Sequence, residues 1–500
     1  MNSFPLGQSI RNAASAMDLR EGMRLRGVVE RVGDGVAWVR GLEGAGYEEL
    51  LTFDSGAYGL AYDLGPEGTG AILLSGVSDV AAGVGVEATR RLPALPVGAG
   101  TLGRIQDPLG NPLDDGPPVK ADLILPLFRP APEFIERKAV DQPLTTGVMV
   151  IDAAIPIGRG QRELIVGDRN VGKTALAQDI VSAQKGGDVA CVYVVIGQPM
   201  SRVLALRDDF EREGCLSNVA IVAAEASMSP GMRYLAPYAG ASVAEWFRDS
   251  GRDALVIYDD LTKHADAYRE LALLLNRPPG REAFPGDIFY IHAELLERAA
   301  VRNAAAGGGS VTALPLVETT DSDISSYIPT NLISITDGQV YLDTTRFEHN
   351  QRPAVDIGRS VSRIGSMAQT EALRATSRNL RILVSRFEKL EALTRVGLDL
   401  DPSTELAVAR GRIIRELLLQ NRFSPRSPAE QALTLTAVSE GWLDGVELAK
   451  ARGLVAGAFR RAQAQLPDMV QTMDSGSLPA DGWKDAFRRC VEKEREGLVP

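Results

Sequence analysis

Gly167-Asp168-Arg169-Asn170-Val171-Gly172-Lys173-Thr174 has the glycine spacing and the Lys-Thr ending of a phosphate-binding loop. An apolar run, Leu164-Ile165-Val166, precedes it and a helical pattern starts at Ala175. The motif therefore sits in the strand, loop and helix order that its chemistry requires. Such a loop turns successive backbone N–H groups into one concavity, where they and the helix N-terminus attract an anion. Lys173 is placed to reach terminal phosphates and Thr174 to hold magnesium through its hydroxyl. A glycine-rich turn carrying Lys-Thr by chance would lack the two flanking elements.

Two further strand ends qualify this reading. The run Ala254-Leu255-Val256-Ile257-Tyr258 ends in Asp259-Asp260, and a buried strand ending in a carboxylate is the metal side of a magnesium-nucleotide site. Asp259, the first residue after the run, is the predicted metal-side group. The run Cys191-Val192-Tyr193-Val194-Val195-Ile196-Gly197 reads as a parallel strand buried on both faces, and it ends at Gln198. A hydrolase of this layout needs a carboxylate there to orient water. A glutamine amide carries no charge and is not a useful base, so the chain is expected to bind nucleotide and hydrolyse it poorly. The alternative is a catalytic carboxylate elsewhere, at Glu211 or Asp259.

Five hundred residues allow two to four domains. With 45% hydrophobic and 24% charged residues, the protein has the composition of a soluble globular one. Its formal charge of -11 argues against a general nucleic-acid surface, although a local basic pore would survive it. Cys191, Cys215 and Cys490 are too scattered for a disulfide framework and fit a reducing compartment. His264, His292 and His349 show no metal-ligand spacing and are expected to be surface or satisfied core residues. No secretory leader is evident and no apolar run approaches the ~20 residues that span a bilayer, so membrane association is expected only through partners.

Residues 24–89 read as short alternating strands, among them 25–32, 36–39 and 71–74, with Gly33-Asp34-Gly35 as a hairpin turn. A small closed antiparallel β-barrel is the economical arrangement, because closure removes exposed edges. The stretch Leu92-Pro93-Ala94-Leu95-Pro96-Val97-Gly98 is expected to be a linker or boundary. From there to about residue 370 strands and helices alternate, the pattern of an α/β parallel sheet. Beyond it, Leu380, Leu383, Phe387 and Leu390 recur at helical spacing, and Asp401-Pro402 supplies a cap and first-turn proline for the next helix. The expected units are an N-terminal extension (1–23), a β-barrel domain (24–92), a P-loop nucleotide-binding domain (93–372) and a C-terminal α-helical domain (373–500).

With these residues in place, the sequence resembles the alpha subunits of F-type ATP synthases over nearly its whole length. The resemblance rests on Ile155-Pro156-Ile157-Gly158-Arg159-Gly160-Gln161-Arg162, on residues 276–287 and 327–339, and on Pro353-Ala354-Val355-Asp356-Ile357-Gly358-Arg359-Ser360-Val361-Ser362. Gln198 points to alpha, since the family's catalytic beta subunit carries glutamate there. The resemblance implies a RecA-like core and a hexamer in which alpha and beta subunits alternate around a gamma stalk. It further implies a delta-type stator contact and peripheral attachment to an ion channel on the cytoplasmic face of a bacterial inner membrane. Alpha would hold Mg-ATP or Mg-ADP without turnover, on the loop and with Gln198, Arg352, Pro353, Gln420 and Arg422. It would complete the neighbouring beta site with Arg363, helped by Ser360. Without the resemblance, Arg363 reads as an interface salt bridge.

Several positions depart from the family pattern: Asn170-Val171 replaces Gln-Thr in the loop, and Gln420-Asn421-Arg422 replaces Gln-x-Gln near the base. Residues 303–310 are shorter than usual, and residues 1–18 read as less helical than the stator-binding start of the family. These features resemble a divergent bacterial alpha subunit of an alternative synthase operon. The competing reading is a homohexameric catalytic ATPase of flagellar or type III secretion type, which predicts turnover by this protein alone. A third, a Rho-like RNA translocase, would need a basic, aromatic-bearing face that the composition does not suggest.

Overall fold

The computed structural model describes residues 25–66, 68–395 and 402–497; the expected N-terminal extension and the capping residue Asp401 lie outside these ranges. Six short strands close into an antiparallel barrel, beginning with Arg26–Gly33 and Val36–Arg40 and ending with Gly85–Ala88. The Asp34-Gly35 turn sets the first register, Gly33 opposite Val36. Val29, Val39, Leu51, Phe53 and Val86 fill the barrel. Its outer flank, with Leu60, Tyr62 and Ile72, packs on the central domain. Ser229 ties the two units, since its hydroxyl donates to Leu74 O (3.0 Å) and caps helix Pro230–Asp249.

The stretch expected to be a linker or boundary carries a strand, separate from the barrel. Ala94–Val97 pairs antiparallel with Leu123–Pro126 in a two-stranded ribbon. Leu95 and Val97 are buried while Ala94 and Pro96 are half-buried. That alternation outweighs the prolines, because a two-stranded ribbon has an outer edge where a missing N–H costs nothing.

The core is a twisted sheet in which seven strands run parallel, in the order Gly338–Leu342, Leu164–Asp168, Ser310–Thr319, Asp253–Asp259, Val189–Gln198, Val219–Glu225 and Ile105–Gln106. Val361–Ser362 adds an antiparallel edge beside Gly338–Leu342. The central strands are buried almost throughout, as expected where helices cover both faces of a parallel sheet. All the strand ends singled out in the sequence therefore emerge on one carboxyl edge, where open α/β sheets bind ligands.

Helices from Glu371–Ser377 to Trp483–Glu496 form the C-terminal unit. In Leu380–Arg395 the apolar stripe is Leu380, Val384 and Phe387, all buried, with Leu383 beside them. The three cysteines are buried and unpaired. His349 is on the surface, with Nδ1 on Thr345 O. His264 is a satisfied core residue, its Nε2 meeting Tyr234 O (3.1 Å), whereas His292 departs from that expectation. They pack ring nitrogen to ring nitrogen (3.3 Å) in the core, and Nδ1 of His292 has no hydrogen-bond partner. Among the described residues no cluster of three metal-ligating side chains occurs, and no helix is long and apolar enough to cross a membrane.

Candidate nucleotide site

The loop owes its shape to two close constraints. Gly167 lies against the next strand, where a Cβ would stand 2.7 Å from Leu342 O and 2.9 Å from a Val171 methyl. Gly172 adopts φ 99°, a left-handed geometry that starts helix Lys173–Ser182 with no side-chain cap. The uncapped first-turn N–H groups thus remain free for an anion. Val171 is buried, whereas Arg169 and Asn170 are exposed at the loop tip. Asp168 fastens the loop from beneath. Its carboxylate accepts from Thr319 Oγ1 (2.6 Å), from Ser322 N and Oγ (both 2.8 Å) and from Thr344 Oγ1 (2.8 Å). Burial pushes its pKa up, but these bonds prevail and hold it below the ordinary aspartate range.

Lys173 is buried and its ammonium donates to Gly167 O (2.8 Å) and Asp168 O (2.6 Å), 3.9 Å from Glu318 Oε1. Burial lowers its pKa, while Glu318, Asp260, Asp259 and Asp168 favour the cation. Thr174 Oγ1 donates to Asp259 Oδ2 (3.1 Å), and Tyr193 OH donates to the same oxygen (2.9 Å). Burial raises the Asp259 pKa against those two bonds and against Lys263 and Lys173. Asp260 has a different task, since its side chain caps helix Leu261–Leu274 by accepting from Lys263 N (3.0 Å). A concave ring of free N–H groups, an ammonium on loop carbonyls, and a hydroxyl beside a buried carboxylate fit a magnesium nucleotide.

Gln198 ends its strand at the same edge. Val195 pairs with Asp259 in the adjacent strand, so Gln198 stands beyond that level, half-buried. Glu211, the alternative carboxylate, is exposed on helix Met200–Arg212.

The groups expected near a base lie around helix Lys173–Ser182, Arg422 against Gln178 and Phe347 near Gly172. Arg352 lies over the Phe347 ring (4.8 Å), and its carbonyl accepts from Gln420 N (2.9 Å). Pro353 lines a small apolar space with Val150 and Leu418. Gln420 Nε2 donates to Gly147 O and Ser424 O (both 2.7 Å), and its Oε1 accepts from Met149 N (3.2 Å). Arg422 Nη2 bonds Gln178 Oε1 and reaches Asp209 Oδ2 at 3.4 Å.

Arg363 does not join this group. Ser362 pairs with Gly338, the first residue of its strand, whereas Gly167 pairs with Leu342, the last. At ~3.3 Å per residue the two levels are ~13 Å apart, on opposite edges of the sheet. The Arg363 side chain is exposed there, with its N–H on Asp337 O (2.9 Å). Ser360 is buried. Its hydroxyl donates to Asp356 O (2.6 Å) and accepts from Tyr341 N (2.9 Å), which fixes the path of the backbone into Arg363.

Tyr193, Glu318 and Gln178 escape the sequence reading. Tyr193 sits inside an apolar run and reads as core, and Glu318 and Gln178 belong to no motif. Only the register of neighbouring strands brings the first two to Asp259 and Lys173.

Known proteins resemble this sequence over most of its length. Residues 147–362 match the nucleotide-binding domain of the ATP synthase alpha/beta family, and residues 369–493 match the family's C-terminal domain. ATP synthase subunit alpha of Dehalococcoides mccartyi is 46% identical, with 95% of this sequence and 94% of that protein covered. ATP synthase subunit alpha 1 of Paraburkholderia xenovorans is 48% identical over 92% of this sequence and 88% of its own length. ATP synthase subunit alpha 2 of Gluconobacter oxydans is 45% identical over 96% and 95%. A complete phosphate loop on a parallel sheet, a barrel before it, helices after it and this likeness over most of the sequence lead to one assignment: the protein belongs to the ATP synthase alpha/beta family, as an F-type subunit alpha.

Proposed function

We propose that this protein is the non-catalytic, regulatory nucleotide-holding subunit of a rotary synthase head, and that it serves the catalytic site of a neighbour. ATP or ADP with Mg²⁺ is held on residues 167–174, with Thr174 and Asp259 on the metal side. The metal, when bound, neutralises phosphate charge. Lys173 contributes its ammonium, and Gln198 leaves no base in position to activate water. Beta subunits alternate with this one, a gamma stalk turns within the ring, and a delta-type subunit holds it. Attachment to the cytoplasmic face of a bacterial membrane is peripheral, through those partners. Ion transport then couples to ATP synthesis or hydrolysis in the assembled two-sector ATPase. The barrel (24–92), core (93–372) and helical unit (373–500) serve as its working divisions.

The observation that carries this reading is the position of Arg363. It is exposed, yet it lies across the sheet from its own phosphate loop. An arginine so placed is out of reach of a nucleotide on its own subunit and is presented to another. Delivered in trans, a guanidinium stabilises charge on a transferring phosphoryl group, an effect of roughly 10³-fold or more in rate. Ser360 acts through the backbone that leads to it. The test is to compare the purified protein with a complex reconstituted with its beta-type partner. The protein alone should bind Mg-ATP without steady turnover, and the complex should hydrolyse it. Sustained hydrolysis by the isolated subunit would overturn the proposal in favour of a homohexameric ATPase.

A further inference from the structure

Arg359, Arg363 and Arg381 gather where Val361–Ser362 lies along the edge of the sheet, and they are unevenly committed. Arg359 lies over the Tyr341 ring (4.0 Å). Arg381 turns its Nη2 to two main-chain oxygens, Ile357 O (3.0 Å) and Ser360 O. The Arg363 guanidinium is exposed and has no hydrogen-bond partner among the described residues. A group offered to a neighbour must be free at its tip and fixed at its root, so its aim depends on the backbone that carries it.

That backbone is held from two sides. On the core side Ser362 pairs with Gly338, Arg363 N donates to Asp337 O (2.9 Å), and Ser362 Oγ donates to Pro156 O (2.7 Å). The buried Glu163 carboxyl lies beneath this rung, where a Cβ at Gly338 would stand 2.5 Å from its Oε2. On the other side the hold comes from Arg381, the second residue of helix Leu380–Arg395. Leu380, Val384 and Phe387 of that helix are buried, and the Phe387 ring fills the space a Cβ at Gly411 would need. The helix is thereby seated on helix Pro402–Leu418. The bond to Ser360 O, three residues before Arg363, therefore follows the helical unit rather than the core.

We infer that Arg381 is a positioning residue for the reaction in the neighbouring subunit: through the carbonyls of Ile357 and Ser360, the helical unit sets where Arg363 is delivered. The inference rests on the reading of Arg363 given above and adds the group that aims it. Arg381 spends its donors on the backbone and acts only through Arg363. Its loss belongs in turnover rather than in substrate binding, because a shift of ~1 Å in a group that serves the transition state costs up to ~10²-fold in rate.

Single-turnover and steady-state rates per assembled complex, reconstituted with the beta-type partner, decide it. Arg381→Ala should lower kcat ~10- to 100-fold with KM little changed. Arg381→Lys keeps the charge and a donor long enough for one carbonyl, and should recover part of the loss. In an Arg363→Lys background Arg381→Ala should add little, since no fork remains to be aimed. Near-normal turnover of the Arg381→Ala complex, or a loss of equal size whether or not Arg363 is intact, would overturn the inference. The reading of Arg363 would then still stand, provided Arg363→Lys alone is slow. If Arg363→Lys alone turns over normally, both fall. Should Arg381→Ala fail to assemble, the same cycle run with Arg381→Lys carries the decision: additive losses reject the inference and non-additive ones support it.

Discussion

Tyr193 and Asp259 share a hydrogen bond of 2.9 Å across adjacent strands, on the carboxylate oxygen that also receives Thr174. The bond favours the anionic form of a buried carboxylate against the burial that raises its pKa, at the position proposed for the metal side. Removing it with Tyr193→Phe leaves burial less opposed, so Asp259 takes a proton more readily. A bond to a charged group is worth ~1.5 kcal/mol or more, or ~10-fold in affinity. The variant should bind Mg-nucleotide more weakly, with a defect that grows as pH falls. Titrations at several pH values check this, and a pH-independent deficit would mean that Tyr193 only fills space.

Arg363→Lys separates transition-state work from interface packing. The charge is kept and the planar fork is lost, so nucleotide binding should change little while turnover of the mixed complex falls. A ~10³-fold loss corresponds to about 4 kcal/mol, more than an exposed salt bridge supplies. Single-turnover and steady-state rates on assembled complexes are the measurement. Near-normal rates of both kinds would assign Arg363 to structure.

The buried pair His264 and His292 should make the fold sensitive to acid. Burial lowers the His264 pKa from its ordinary value to about 4, and burial with the neighbouring ring lowers that of His292 well below the usual range. The unfolded state therefore binds these protons first. Their contribution is fully present above ~6.5 and is lost as pH falls toward 4, by about 2 kcal/mol at pH 5 for His264 alone. Thermal melts at pH 7.5 and pH 5 should show a smaller drop for the double variant His264→Phe, His292→Leu than for the wild type. Equal drops would place the acid sensitivity elsewhere.

Glu163 gives the opposite sign. Its Oε2 accepts from Gln161 Nε2 (2.7 Å), its Oε1 has no partner, and burial raises its pKa well above the ordinary value. The folded state keeps this proton after the unfolded state has released it, so stability falls as pH rises above ~4.5 toward the folded value. Glu163→Gln preserves the shape without the ionisation. It should be at least as stable as the wild type at pH 8, with the difference shrinking toward pH 5. Melting curves at the two pH values test this, and a variant less stable at pH 8 would show that the carboxylate is needed as an anion.

How far these sites are legible in the sequence depends on whether their partners are local. The phosphate loop is legible because its shape depends on glycines and a helix start within eight residues. The Gly33-Asp34-Gly35 turn is legible for the same reason. The ribbon strand Ala94–Val97 is not, because its prolines signal a break until Leu123–Pro126 supplies an edge to pair with. Likewise nothing in the sequence joins His264 to His292, or Arg422 to Gln178, whose side chains meet only once separate helices and loops have packed. Gln198 is a different case, since the absence of a carboxylate can be read without coordinates.

The bonds on Asp168 have a consequence for the order in which the molecule is made. Thr319, Ser322 and Thr344, which hold the phosphate loop from beneath, follow it by 151 to 176 residues. During synthesis the loop emerges long before its supports exist. A nascent polypeptide ending before residue 319 carries the whole motif and none of the clamps. Competence to hold a nucleotide thus arrives only when the strands on both sides of Leu164–Asp168 are in place, and ligand capture marks the finished core.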